Sequence, residues 1–128
     1  MNRFIIIIIL TLTSTFTSCV DIAVETTYTY FNNSSKMVSI SWGNRDVLDS
    51  NLIIPSNDSF STKFYDLGGI SEPFDYTDSL IIIIEDSISH HFNQFNLTDE
   101  MNLLNGENYE VGRVEGSNNY HFTYTFID

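Results

Sequence analysis

The chain reads as an all-β protein, a single antiparallel β-sandwich of seven to eight short strands, with a small β-barrel as the alternative. Three observations predict it. Segments of β-branched and aromatic residues alternate with a two-residue period, clusters of Asn, Ser, Asp and Gly separate them, and only one short stretch carries a helical pattern.

Taken in order, Val24, Thr26, Tyr28 and Tyr30 share one face of a first strand, and Asn32-Asn33-Ser34-Ser35 supplies its turn. Val38, Ile40 and Trp42 form the buried face of a second strand, which ends at the turn Gly43-Asn44-Arg45-Asp46. Leu52-Ile53-Ile54 stops at Pro55 and reads as an edge strand, because proline cannot donate to a ladder. Ser59 to Tyr65 is a further strand. Asp66 to Asp78, with Gly68, Gly69 and Pro73, is the longest loop. Leu80 to Ile84, apolar throughout, is the expected central strand, followed by Ile88 to Phe95. Asn96 to Leu104 reads as a helical turn, capped by Thr98 and ended by Gly106. Tyr109 to Val114 and Tyr120 to Ile127 form a closing hairpin around Gly116-Ser117-Asn118-Asn119.

The first residues belong to another category. Arg3 precedes a short apolar run, Phe4 to Leu12, and small polar residues lead to Cys19, the only cysteine. Nine residues are too few to cross ~30 Å of hydrocarbon as a helix. The pattern is that of a secretion signal ending at a lipidated cysteine, although Phe16 stands where Leu is usual in such sites. The expected division is 1–18 lipoprotein signal peptide, 19–23 lipidated N-terminus and short tether, and 24–128 sandwich domain. Without residues 1–18 the chain has four basic and seventeen acidic residues, since Arg3 leaves with the signal. That field repels nucleic acid and anionic headgroups. The hydrophobic fraction of 42% and aromatic fraction of 14% argue for a folded domain.

The S-C that ends the signal, N-N-S-S, I-I-P-S-N-D-S-F and the terminal Y-H-F-T-Y-T-F-I-D together resemble the small Asn- and Ile-rich lipoproteins of Bacteroidota. The resemblance implies an immunoglobulin-like sandwich on a lipid anchor in the cell envelope, at the outer membrane, with Cys19 diacylated by palmitate or similar chains. In that group an acid- and lysine-rich stretch after the cysteine accompanies surface export. Val20-Asp21-Ile22-Ala23 has one acid and no lysine, so the membrane face stays open. The resemblance also implies O-glycosylation at Asp-Ser-aliphatic triplets, here Ser79 and Ser87.

The residues suggest no catalytic constellation. His90 and His91 are adjacent in a strand and so face opposite ways, and His121 lies in another. Neither H-E-x-x-H nor G-x-S-x-G occurs. Asp46 to Asn51 offers oxygen ligands in a loop without the D-x-D-x-D-G spacing of a calcium site. No metal and no cofactor is expected. Tyr120, Phe122, Tyr124 and Phe126 share one face, as a core stripe or, if exposed, a sugar platform. Phe74 and Tyr76 lie in the longest loop, where they either pin it to the core or serve as ligand contacts. The leading expectation is a non-enzymatic binding or scaffolding protein that contacts the membrane through its lipid and an envelope protein or glycan through its domain. A glycan-binding accessory lipoprotein and an envelope hydrolase with an unrecognised site are the alternatives.

Overall fold

A computed structural model describes residues 23–44, 47–72, 74, 77–85, 88–93, 98–113 and 117–128. Eight strands follow one another: β1 Val24–Asn32, β2 Val38–Asn44, β3 Val47–Ile54, β4 Asp58–Asp66, β5 Ser79–Ile84, β6 Ile88–Asn93, β7 Glu110–Arg113 and β8 Asn119–Phe126. They form two four-stranded sheets, ordered β4-β1-β8-β7 and β3-β2-β5-β6, packed as a sandwich. Two-residue periodicity places the core. Tyr28 and Tyr30 of β1 and Tyr124 and Phe126 of β8 face Val38 and Ile40 of β2 and Leu80 and Ile82 of β5.

The strand order explains how an immunoglobulin-like sandwich is reached. β1 to β6 take the places of strands B, C, C′, E, F and G, with B beside E in one sheet and C′-C-F-G in the other. Trp42 on β2 is partly buried and packs against the core between the sheets. The place of strand A beside β1 is filled by β8. Because β8 enters from the C-terminal hairpin, its ladder with β1 is parallel, pairing Glu25 with Asn119 through to Asn32 with Phe126. Antiparallel pairing throughout is thus corrected at this one ladder. β3 lies at an edge and β5 in the centre, as their sequences predict.

Two other expectations change. The stretch read as an acidic loop belongs mostly to β3, since a register shift at Trp42/Gly43 lets Leu48 and Ser50 pair with β2. The helical turn ending at Leu104 is replaced by a series of Asx turns. Asp99, Asn102 and Asn105 accept from the amides of Met101, Leu104 and Glu107 at 2.9–3.0 Å. The amides of Asn102, Asn105 and Asn108 in turn donate to the carbonyls of Asp99, Asn102 and Asn105. An acceptor side chain at every third position outcompetes the helical ladder. Gly106 accordingly opens a 3-10 helix, Gly106–Asn108, and does not end an α-helix.

Candidate functional site

Two crossovers between the sheets, the 67–78 loop and the Asx-turn segment 98–108, frame a cleft. Inward tyrosines hold both in place. The Tyr28 hydroxyl donates to Ser71 O at 2.7 Å, Tyr109 to Leu103 O at 3.0 Å, and Tyr124 to Glu100 O at 3.2 Å. A buried phenol must find an acceptor, and here the acceptors are loop carbonyls. Phe74 adds the apolar pin, buried edge-on against Trp42 at 5.3 Å between ring centroids.

The cleft so formed has a volume of about 340 Å3. Tyr28, Phe74, Tyr109 and Phe122 form its ring-lined walls, Leu103, Leu104 and Gly106 one side, and Glu72, Thr77 and Asp78 the polar rim. Tyr28 and Phe122 stack at 4.8 Å, and Tyr109 meets both edge-on. Burial, with a smaller effect from the Glu72 carboxylate, pushes the Tyr28 hydroxyl up to about 12. Burial likewise raises Tyr30, Tyr109 and Tyr124, so all four phenols stay protonated at neutral pH. Both charged groups in the lining are acidic, which suits a ligand presenting a cationic or hydroxyl-rich group to carboxylates and rings. A second cleft, of about 560 Å3, lies across the Asx-turn segment. Of the ionic groups that line it, Lys36 and Asp128 are engaged within the molecule. Lys36 pairs with Glu85 at 3.5 Å, and the Asp128 carboxylate accepts from Ser35 N–H.

The residues singled out in the sequence fall as follows. Phe74 pins its loop and walls the cleft. Cys19, Tyr76 and Ser87 lie outside the described residues. Ser79 begins the central strand β5, and its hydroxyl donates to Asp78 Oδ1 at 3.0 Å. Of the stripe on β8, Tyr124 and Phe126 are buried in the core and Phe122 packs against it, while half-buried Tyr120 lies under the Arg113 guanidinium at 5.4 Å. His90 stacks on Phe92 and His91 is exposed on the same strand. His121 acts electrostatically on Glu25 across the outer face of the first sheet. There Glu25 is already engaged by Lys63 at 2.9 Å and by Tyr65, which hold its carboxyl below the usual range. Among the described residues no three His, Cys, Asp or Glu side chains are placed to share a metal ion.

Sequence reasoning did not single out Tyr28, Glu72, Leu103 or Tyr109 for the cleft. The available signal was tyrosine in place of phenylalanine on an inward-facing strand position. No family model matches the chain, and no curated protein does.

Proposed function

We propose that this protein is a non-enzymatic binding module of the cell envelope, anchored through acylated Cys19, and that the cleft between its two crossovers receives the partner. One observation carries the reading. A ring-lined cleft with Glu72 and Asp78 at its rim is built from two loops that tyrosine hydroxyls clamp onto a rigid sandwich. The signal pattern and the resemblance to Bacteroidota lipoproteins support an anchored, outer-membrane location. A hydrolase would need a histidine and a carboxylate converging in a cleft. One pair that comes together among the described residues, His121 and Glu25, lies on an open sheet face with the carboxylate engaged by Lys63. The glycan-binding alternative has little platform on β8, where Phe122, Tyr124 and Phe126 pack into the core, and rests mainly on the cleft.

Two measurements test the proposal. Labelled fatty acid should enter the wild-type protein, and Cys19→Ala should release it from membranes. A photocrosslinker at Thr77 should capture one discrete envelope component, and Glu72→Gln with Asp78→Asn should abolish that capture. Incorporation of no fatty acid refutes the anchor; capture indifferent to both carboxylates refutes the cleft.

A further inference from the structure

We propose that the turn from Leu67 to Ile70 is a second, non-covalent contact with the bilayer, which fixes how the domain stands on its membrane; this rests on the lipid-anchor reading above. The register of β1 and β4 supplies the geometry. Val24, the first residue of β1, pairs with Asp66, the last of β4, and the two strands are antiparallel. β4 therefore runs toward the point where the N-terminal tether leaves, and the turn that begins at Leu67 follows Asp66 at that same end of the sheet before Ser71 meets the Tyr28 hydroxyl. Only four residues separate Val24 from Cys19, five Cα-to-Cα steps with a reach of at most about 17 Å. An acylated Cys19 thus brings this end of the sandwich to the lipid surface.

What stands there is apolar and exposed. Leu67 is 66% exposed and Ile70 46%, with Gly68 and Gly69 between them. Tyr65, 68% exposed, stands just above on the outer face, where a tyrosine matches headgroup level. The turn is closed on itself, since Asp66 Oδ1 accepts from Gly68 N–H at 2.9 Å. It can enter an interface without exposing that amide. The occupant is a zwitterionic bilayer. Asp66 and Glu72 flank the turn, and anionic lipid would repel them and the strongly acidic domain. Two acyl chains already give stable attachment, so the loop sets orientation and not affinity.

The test uses full-length acylated protein carrying Leu67→Cys, whose thiol is the free one once Cys19 is modified. An environment-sensitive fluorophore is attached there, and the protein is reconstituted into phosphatidylcholine–phosphatidylethanolamine vesicles containing spin-labelled lipid. Asn33→Cys, exposed in the turn at the far end of β1, is the control. The expected result is blue-shifted, quenched emission at position 67 and neither effect at 33, with quenching lost when Ile70→Asp is added. Unquenched emission at both positions, on protein that floats with the vesicles, overturns the loop contact and leaves the anchor standing. Quenching that survives Ile70→Asp shows that the fluorophore itself seeks the bilayer, and also overturns it. Protein that does not float overturns the anchor and this inference together.

Discussion

The side-chain amide of Asn32, at the end of β1, donates to the backbone carbonyl of Ile54, at the end of β3 in the opposite sheet, at 3.0 Å. The same nitrogen reaches Lys36 O at 2.7 Å and Pro55 O at 3.0 Å, while Oδ1 accepts from Ser34 N and Oγ. Asn32 is fully buried. One amide therefore ties the β1–β2 turn to the β3–β4 turn across the sandwich.

Asn32→Asp keeps the shape and removes the donor, so a carboxylate faces three carbonyls. The loss at neutral pH should be about 3 kcal/mol or more, the scale of a buried charge without a partner. The introduced carboxyl is held protonated in the fold, above its unfolded value near ~3.9. The part of the penalty due to ionisation is absent below that value and grows as pH rises toward the folded one, on top of the donor lost at every pH. Urea unfolding of variant and wild type at several pH values should show a gap that widens from acid to neutral.

Tyr30 and Tyr109 approach hydroxyl to hydroxyl at 3.4 Å, and burial raises both. An unfolded tyrosine ionises near ~10. The stability that follows from keeping these protons is present below that pH and lost as pH rises through the folded values. Each such tyrosine contributes a slope of about 1.4 kcal/mol per pH unit in that window. Tyr109→Phe, which forfeits the bond to Leu103 O, should cost about 1–2 kcal/mol at neutral pH. It should also make the alkaline decline shallower, as read by denaturant titrations between about pH 9 and 12.

Thr26 offers the opposite case. It is fully buried between Phe64 and Tyr120 in the register of the first sheet, and its hydroxyl has no hydrogen-bond partner among the described residues. Thr26→Val replaces that hydroxyl with a methyl of similar volume and should stabilise the fold by about 1 kcal/mol. A midpoint of urea denaturation that falls would reveal a partner for the hydroxyl.

Trp42 is the only tryptophan, so its fluorescence reports the cleft loop directly. Phe74→Ala removes the ring packed against it, at a cost of about 3 kcal/mol. Trp42 emission should shift to the red in the folded variant. An unchanged spectrum with unchanged stability would place the pin elsewhere.

The strands were legible because each alternates cleanly, and Leu80 to Ile84 announces a central strand by having no polar face at all. What stayed hidden depends on partners distant in sequence. Nothing local to β8 shows that β1 is its neighbour, so the parallel ladder could not be read. Nothing in Val47 to Asn51 shows that a register shift draws it into β3. Asp99, Asn102 and Asn105 were legible in principle, since Asx residues every third position favour turns over a helix. The tyrosine clamps follow the same logic, for an inward phenol needs a partner even when the sequence cannot name it.

The placement of β8 leads to the last prediction. It lies between β1 and β7, so removing Asn119 to Asp128 strips a central strand, exposes one edge of β1 and leaves β7 without its ladder. Buried Tyr124 and Phe126 go with it, each worth at most ~4–6 kcal/mol at ~150–250 Å2 and ~25 cal/mol per Å2. The tie from Tyr124 to Glu100 O and the bond from Asn33 N to Phe126 O are lost as well. Against a net stability of ~5–15 kcal/mol for a whole domain, the two rings alone remove most of the margin. The truncated chain should show no cooperative thermal transition and should aggregate. A cooperative melt near the wild-type temperature would mean that β1 to β6, the immunoglobulin-like part, hold together without a strand in the place of A.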